Sequence, residues 1–199
     1  LGCSVGGAAF ALASKGGFGQ VLGVDIDAAA LQAAKEVADG KLQGERNIQL
    51  DGPAFQDCKP DAVSFLQADA MCVPADLYGF EAVLCADLLE ELQSPSSVLM
   101  RMSGELGLVA RGGVLLLTST YNYNDHTTPR EAWIGNSGDR HSAGTENAKS
   151  VQRIATLLGP EFEFIAEHDI PRIERLSDRQ YVYTISHATS WKRRAAHEN

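Results

Sequence analysis

The sequence has few cysteines, few basic residues and no long apolar run. Its four cysteines form no CxxC pair and do not cluster with histidine: Cys3, Cys58, Cys72 and Cys85. They therefore indicate neither a zinc site nor a disulfide framework. Free thiols are typical of the reducing cytosol, so we expect a cytoplasmic protein. Apolar runs such as residues 114–117 are far too short to span a bilayer, and we expect no membrane association.

Basic residues are outnumbered, with 17 Lys and Arg against 26 Asp and Glu and a formal net charge of −9. Such a surface repels a phosphate backbone, because nucleic-acid affinity depends largely on Lys and Arg replacing counterions. We therefore expect no nucleic-acid partner. The basic cluster Lys192, Arg193 and Arg194 is interpreted as a solvated tail. The 199 residues, 44% of them hydrophobic, fit one globular domain over 1–199.

Helical and strand-like segments alternate along the chain. The strand-like runs are short and almost continuously apolar, as in "QVLGVD", "AVSFLQAD", "FEAVLCAD" and "RGGVLLLTSTY". Helical patterns separate them, among them "AAFALASKGG", "DAAALQAAKEVADG", "SSVLMRMSGELGLV" and "AKSVQRIATLLG". Runs of this kind are typical of a parallel sheet covered by helices on both faces. The alternation predicts a Rossmann-like, doubly wound α/β sheet, mostly parallel.

The remaining segments complete this prediction. "FEFIAEHDIPRIERL" and "QYVYTISHATSWKR" are extended, and we expect them to pair antiparallel, so that a C-terminal antiparallel strand lies at the sheet edge. Residues 41–60 lose periodicity and predict an irregular insertion. The polar and aromatic stretch 121–147 is longer than ordinary loops and is therefore a candidate for function.

The chain opens with "LGCSVGG", a glycine-rich loop. In a doubly wound sheet the loop after the first strand approaches the ligand most closely, and Gly2, Gly6 and Gly7 allow that approach. The strand before this loop should therefore lie upstream of Leu1, and we expect the sequence to be part of a longer chain. The loop does not identify the ligand, because its glycine spacing and Asp25 also fit a nicotinamide cofactor.

The series "LGCSVGG", "VLGVDID", "FLQADA", "VLCADLLEEL" and "RGGVLLLTS" resembles, in order and spacing, the motifs of class I S-adenosylmethionine (SAM) methyltransferases. The resemblance implies SAM as cofactor. It also implies a set of cofactor-binding residues: Gly2, Cys3, Ser4 and Gly6 at the methionine part, Asp25 and Ile26 at the ribose, Asp69 and Ala70 at the adenine, and Ala86 and Asp87 beside the sulfonium.

The residue types suit these implied roles. A carboxylate accepts two hydrogen bonds from a vicinal diol, as Asp25 would from the ribose. A negative charge near a sulfonium cation is favourable, as for Asp87. For Asp87 an alternative stays open, because "ADLLEEL" begins like a helix and its side chain would serve as an N-cap.

The stretch "TSTYNYNDHTTPREAWIG", followed by "LGPEFEF" and a closing "SWKR", looks like the methyltransferase domain of ovothiol biosynthesis. The resemblance implies that the methyl acceptor is an imidazole nitrogen of mercaptohistidine. In many relatives this domain is fused behind an iron-dependent sulfoxide synthase, so a fused upstream domain is an implied partner. The segment 138–149 matches less clearly.

Aromatic side chains in this stretch are candidates for holding the acceptor ring. We expect Tyr121 and Tyr123 to fix the ring plane with Trp133 behind them, although Trp133 would equally well pack under the loop. Arg130 would clamp a carboxylate through a bidentate pair, its alternative being an exposed ion pair with Glu131 or Asp125.

The candidate catalytic residues are Tyr121, Asp125 and His126. Asp125 would contact the amino group or accept the imidazole proton, and His126 or His141 would act as acid or base. His168 and His187 fall in predicted strands, which favours structural roles. Three other functions stay open: methylation of another small amino-acid-like or acidic acceptor, a nicotinamide oxidoreductase, and a SAM-binding regulator without turnover.

Overall fold

The structure is a computed structural model that describes residues 1–15, 18–39, 60–135 and 146–195. The predicted irregular segment 41–60, apart from Pro60, and His141 lie outside these residues. The chain divides into two compact units, Leu1–Val73 and Pro74–Asn199.

The first unit contains two parallel strands and two helices. Its elements are α1 (Gly7–Lys15), β1 (Val21–Asp25), α2 (Ala28–Ala38) and β2 (Val63–Gln67). The two strands pair from Val21 with Val63 to Asp25 with Gln67, so their carboxyl ends share one edge. Asp27 begins α2, because its side chain accepts hydrogen bonds from the backbone of Ala29 and Ala30.

The second unit is built on a four-stranded sheet. Its elements are β3 (Phe80–Ala86), α3 (Pro95–Arg101), β4 (Val109–Ser119), α4 (Glu146–Leu158), β5 (Phe162–Ser177) and β6 (Gln180–Arg193). The strand order is β3-β4-β6-β5, with β3 parallel to β4 and β6 antiparallel to both β4 and β5. The predicted α/β fold with an antiparallel pair at its edge is confirmed. Within that pair β5 takes the outer position.

The helix predicted over "SSVLMRMSGELGLV" is shorter than expected and ends at Arg101. Gly104 has a φ of +86°, a left-handed backbone conformation that cannot continue a helix. The next residues return toward the sheet, where the backbone N–H of Leu108 donates to the carbonyl of Arg101. β4 then begins at Val109. The chain thus needs these residues for the return to β4 rather than for another helical turn.

The core of the second unit lies on the face of the sheet against which α4 packs. It consists of side chains no more than 2% exposed, among them Val109, Leu115, Leu117, Ile154, Leu158, Phe162 and Trp191. Burial of each such aliphatic or aromatic side chain contributes about 1.5–3 kcal/mol. In the described parts of the chain, every helix is too short or too polar to cross a membrane.

β5 and β6 extend well past the rest of the sheet. β4 pairs with β6 only over residues 187–192, whereas β5 and β6 continue to pair with each other as far as Ser177 and Gln180. Residues 170–185 therefore form a two-stranded extension, named here the distal ribbon. It lies beyond the carboxyl end of β4, because β6 runs antiparallel to that strand.

Candidate functional site

The opening loop of the first unit turns tightly at the end of β1. Gly2, Ser4 and Gly6 have φ values of +67°, +47° and +85°. The backbone N–H of Cys3 donates to the carbonyl of Val24 at 3.1 Å, which attaches the loop to β1. A Cβ atom on Gly6 would come within 2.8 Å of the Phe10 and Phe65 rings, so only glycine fits there.

Asp25 closes β1 and organises this loop. Its Oδ2 accepts from the backbone N–H of Ser4 at 2.7 Å, and its Oδ1 accepts from Asp27 at 2.9 Å. A carboxylate offers about four acceptor positions, so two further donors such as the hydroxyls of a diol are chemically compatible with it. Ile26 follows and is 65% exposed, which gives an apolar surface beside the carboxylate. These residues fit a nucleoside.

The second strand of the first unit ends in a comparable turn. Asp69 accepts a hydrogen bond from the backbone of Met71 at 2.8 Å and so begins the short turn Ala70–Cys72, with Ala70 buried. In the parallel pair, β2 ends at the same edge as β1. Asp69 and Ala70 therefore follow the strand end that the sequence predicted for an adenine contact.

The thiol of Cys3 lies in the same loop. Burial, with a smaller contribution from the neighbouring Asp25 carboxylate, raises its pKa to about 11. Near neutral pH the group is therefore a protonated thiol rather than a thiolate. This chemistry suits packing against an apolar or sulfur-containing group, and it does not suit nucleophilic attack.

In the second unit, Ala86 ends β3 and Asp87 follows with a φ of +47°. The Asp87 carboxylate accepts from the hydroxyls of Thr118 and Ser186, each at 2.8 Å, and its Oδ2 lies 3.2 Å from Nη1 of Arg172. The following turn, Leu89–Glu91, begins at Leu88 without a side-chain cap. Asp87 thus binds neighbouring strands and does not act as a helix N-cap.

Glu90 is a buried carboxylate that the sequence analysis did not single out. Its Oε1 accepts from the hydroxyls of Ser119 and Thr120 and from the backbone of Thr120 and Tyr121. These bonds hold the end of β4 where Tyr121 has a φ of +57°. Glu90 is 5% exposed, and within the described structure its Oε2 has no hydrogen-bond partner. The sequence feature that could have indicated Glu90 is its position as the second acidic residue shortly after the end of β3.

Tyr121 begins a series of hydrogen bonds that leads to the surface. Its hydroxyl lies 2.9 Å from Nδ1 of His187, and Nε2 of His187 lies 3.1 Å from Oε2 of Glu167. Tyr121 is buried, whereas the Glu167 side chain is 56% exposed. Burial raises the pKa of Tyr121 well above its ordinary value, and the charges of Glu90 and Glu167 add to the effect. The phenol therefore stays protonated near neutral pH.

Tyr123 and Trp133 form a stacked pair, with ring centroids 5.7 Å apart and an interplanar angle of 20°. The indole N–H of Trp133 donates to the carbonyl of Thr128 at 2.7 Å. The hydroxyl of Tyr123 is buried and interacts with the Ile134 backbone, but in the described ranges it makes no hydrogen bond of full geometry. Burial also raises the pKa of Tyr123, so this phenol is protonated as well.

Arg130 lies over the Trp133 ring, with its guanidinium carbon 5.3 Å from the centroid. Its Nε also donates to both carboxylate oxygens of Asp125, at 2.8 and 2.7 Å. The sequence had offered an exposed ion pair with Asp125 as one alternative role for Arg130, and this ion pair is present, with both side chains about half exposed. His126 is exposed, and its backbone N–H donates to Asn124 Oδ1 at 3.0 Å.

Comparison with known proteins identifies the family. A family model described as a methyltransferase domain matches residues 1–115, more than half of the chain. No curated protein matches the sequence significantly.

Solved structures show the same fold at low sequence identity. A protein from work on conversion of a disulfide bond into a thioacetal group in echinomycin biosynthesis has a TM-score of 0.62 and 15% identity, over 99% of this chain and 75% of that one. The 4+2 cyclase SpnF has a TM-score of 0.59 and 17% identity, over 98% and 73%. A SAM-dependent methyltransferase from Methanosarcina mazei has a TM-score of 0.58 and 16% identity, over 98% and 90%.

The family match agrees with the chemistry of the opening loop and Asp25, which are compatible with the nucleoside part of a methyl donor. Together they leave the nicotinamide alternative without support. The chain belongs to the methyltransferase domain family and is a SAM-dependent methyltransferase with S-adenosylmethionine as its cofactor.

Proposed function

We propose that this chain transfers the methyl group of SAM to a ring nitrogen of the imidazole of mercaptohistidine, the final step of ovothiol biosynthesis. The observation that carries the proposal is the series Tyr121, His187 and Glu167. An aromatic N–H ring must lose a proton after it gains a methyl group, and this series provides a route for that proton. The resemblance of the stretch "TSTYNYNDHTTPREAWIG" supports the same acceptor.

The first unit supplies the donor-binding residues of the proposal. Asp25 would bind the ribose hydroxyls, with Ile26 beside the nucleoside, while Asp69 and Ala70 would contact the adenine. The glycine-rich loop with Cys3 would line the methionine part. When bound, SAM supplies an electrophilic methyl group on a sulfonium. We assign Asp87, whose carboxylate is already held by Thr118 and Ser186, to favourable electrostatics near that cation.

Selectivity between nitrogen and sulfur is the main demand on the acceptor residues. The substrate thiolate is a strong nucleophile, so the enzyme must present the ring nitrogen, about 3 Å from the methyl carbon and opposite the sulfonium sulfur. Flat side chains restrict the orientation of a flat ring. We assign this role to Tyr121 and Tyr123, with Trp133 supporting Tyr123 through their stacked contact.

Two buried polar atoms support a polar acceptor in this unit. In the described residues Glu90 Oε2 lacks a hydrogen-bond partner and the Tyr123 hydroxyl has only an imperfect interaction with the Ile134 backbone, whereas buried polar groups are nearly always hydrogen-bonded. The Glu90 charge contributes to the raised pKa of both Tyr121 and Tyr123, so the three groups interact electrostatically. A ring N–H or an ordered water that reaches them would satisfy them.

The proton would leave the methylated ring through Tyr121. As the nitrogen–methyl bond forms and the sulfur–methyl bond breaks, the ring becomes cationic and its remaining N–H becomes acidic. The Tyr121 oxygen accepts that proton and passes its own to Nδ1 of His187. The raised pKa of Tyr121 prevents a free phenolate, so both transfers are coupled. Glu167 stabilises the resulting imidazolium and is exposed enough to release a proton to water.

The amino-acid part of the acceptor would be held by Arg130 and its neighbours. Asp125 occupies the Nε of Arg130 and so fixes the guanidinium over Trp133. We propose that Arg130 contacts the substrate carboxylate from this fixed position, with Asp125 orienting it. An acid or base role for His126 stays a prediction.

The test is mass spectrometry of a reaction that contains the protein, SAM, mercaptohistidine and histidine. We expect one added methyl group on mercaptohistidine, placed on a ring nitrogen by fragmentation, and no product from histidine. A methylated sulfur would refute the proposed selectivity. No methylated product, with SAM binding shown by calorimetry, would refute this acceptor.

The variant Tyr121→Phe tests the proton route. We expect kcat to fall by about 10²-fold, the lower end of the usual contribution of acid–base catalysis, with unchanged SAM affinity. Glu167→Gln should give a smaller loss and an altered pH profile of kcat. The control is Tyr181→Phe, which changes an exposed tyrosine of β6. Equal activity of Tyr121→Phe and the control would exclude the route.

A further inference from the structure

The distal ribbon exposes an unusual amount of apolar surface. Seven of its large apolar side chains are between 38% and 69% exposed: Ile170, Ile173, Leu176, Tyr181, Val182, Tyr183 and Ile185. A two-stranded ribbon without a core is at best marginally stable in water, and its free edges favour association. We therefore expect this exposed apolar surface to pack against a partner.

The strand register divides the ribbon into two faces. Directly opposed residues of an antiparallel pair share a face, as do Pro171 with Ile185, Ile173 with Tyr183, and Arg175 with Tyr181. These six residues define the outer face. The opposite face carries Arg172 and Ser186, which bind Asp87 of the same unit. The outer face thus carries four of the seven exposed apolar side chains: Ile173, Tyr181, Tyr183 and Ile185.

Charge along the outer face changes sign from base to tip. Glu167 and Asp169 lie on this face at its base, where Asp169 is directly opposite His187 in the strand register. Arg175 lies near the tip, where its exposed guanidinium also pairs with the exposed Asp178. Six residues of strand separate Asp169 from Arg175, about 20 Å. When two such faces pack antiparallel about a two-fold axis, each Arg175 lies opposite the acidic base of the other copy. The central apolar residues Ile173 and Tyr183 then meet the same region of the partner.

The ribbon also differs in net charge from the rest of the chain. The ribbon together with Asp169 at its base contains three acidic and three basic residues, whereas the whole chain has a net charge of −9. Two copies that approach through this neutral segment avoid most of the repulsion between their acidic surfaces. The four exposed apolar side chains of the outer face, two of them tyrosines, form the centre of the contact, and a standard interface covers about 800 Å² per partner.

We infer that the distal ribbon is a dimerisation arm, and that the outer faces of two copies pack against each other antiparallel about a two-fold axis. A two-fold interface uses the same patch on both copies, which the base-to-tip charge pattern satisfies. The inference does not depend on the identity of the methyl acceptor. Of the residues that take part in the proposed reaction it uses only Glu167, which belongs to the proton route and lies at the base of the arm.

Analytical ultracentrifugation from about 1 to about 100 µM tests the inference, a range that detects micromolar affinity. We expect a mass of twice 21.3 kDa at the upper concentrations. Tyr183→Glu should produce a monomer, because it buries a carboxylate at the centre of the apolar contact. Val182→Glu places the same charge on the neighbouring residue of the opposite face and should leave the dimer intact. Circular dichroism checks that both variants are folded.

A charge exchange tests the orientation of the two arms. Arg175→Glu should weaken the dimer at least tenfold, because it sets like charges opposite each other. The double variant Arg175→Glu with Asp169→Arg should restore the affinity. A wild-type chain that sediments as a monomer throughout would overturn the inference, and so would a dimer that survives Tyr183→Glu. Failure of the double variant to restore affinity would overturn the antiparallel arrangement.

Discussion

The buried hydroxyl of Tyr123 gives a prediction about single residues. In the described structure this hydroxyl interacts with the Ile134 backbone but makes no hydrogen bond of full geometry, and an under-satisfied buried polar group destabilises the folded state. Tyr123→Phe should therefore raise the free energy of unfolding by about 1 kcal/mol in urea denaturation. If the hydroxyl also contacts the acceptor, KM for the acceptor should rise in the same variant. A loss of stability instead would mean that the hydroxyl already has a bound partner such as water.

The cysteines give a second prediction at this scale. The pKa of Cys3 is raised from 9.0 to about 11, so its thiolate fraction at pH 8 is about a hundredfold below that of an ordinary thiol. Cys85 is fully buried, and burial raises its pKa as well, whereas Cys72 is exposed. Iodoacetamide at pH 8 should therefore modify Cys72 first, and the reaction of Cys3 should accelerate as the pH rises toward 11.

Peptide mass mapping over time measures this order, in a Cys58→Ser background because Cys58 lies outside the described residues. Addition of SAM should slow the modification of Cys3 further and leave Cys72 unchanged. Cys3 reacting as fast as Cys72 would contradict both the raised pKa and the packed loop.

Individual site residues differed in how far the sequence predicted their surroundings. Asp25 and Tyr121 follow strand ends, and strand ends can be read from local apolar runs. Glu90 and His187 could not be assigned in the same way, because their contacts depend on strand pairing. The bond between Tyr121 and His187 joins residues 66 positions apart, and it forms only because β6 lies directly beside β4.

Among the elements, the end of β6 is fixed by a buried ion pair. Arg193 is 3% exposed at its side chain and donates to the carboxylate of Glu161, 2.7 Å from its Nη2, and to the carbonyls of Val109 and Gly104. Although partial burial alone would raise it, the hydrogen bonds from Arg193 and Gly104 hold the pKa of Glu161 below its ordinary value. One guanidinium thus joins β6 to the start of β4.

Glu161→Gln should lower the free energy of unfolding near pH 7 by about 1–3 kcal/mol, because it leaves a buried guanidinium without its counter-charge. A carboxyl whose folded-state pKa is lowered stabilises the protein above its ordinary pKa and loses this effect as the pH falls through the lowered value. The difference between wild type and variant should therefore shrink in acid. Urea denaturation at several pH values measures it, with the exposed Glu163→Gln as control. A difference independent of pH would refute the linkage.

The elements also show where local patterns fail. The sequence predicts the order of helices and strands along the chain correctly. It predicts an α3 that is seven residues longer than the helix in the structure, because helical periodicity continues through Gly104. The extents of β5 and β6, in contrast, were predicted to within one residue, because "FEFIAEHDIPRIERL" spans 162–176 and "QYVYTISHATSWKR" spans 180–193. The sequence did not predict that both strands continue past the rest of the sheet as the distal ribbon, because that depends on where β4 ends beside β6.

For the molecule as a whole, SAM should act as a stabilising ligand. At about a hundredfold excess over its Kd, a ligand that binds only the folded state adds about 2.7 kcal/mol. For a chain of this size the Tm should then rise by about 5–10 °C in a thermal scan. Asp25→Ala should abolish the shift, while Asp27→Ser, which retains an N-cap residue for α2, should keep it. An equal shift with NAD would contradict the assigned cofactor.

The position of β6 inside the sheet has a consequence for the order in which the chain folds during synthesis. β4 pairs with β6, which is translated some 60 to 80 residues later, and β5 reaches the sheet only through β6. A nascent chain that has emerged through β5 therefore has one side of β4 and the whole of β5 unpaired. Such open edges bind other chains readily. Ribosome pausing or truncation just before β6 should thus favour aggregation, whereas pausing after β6 should not.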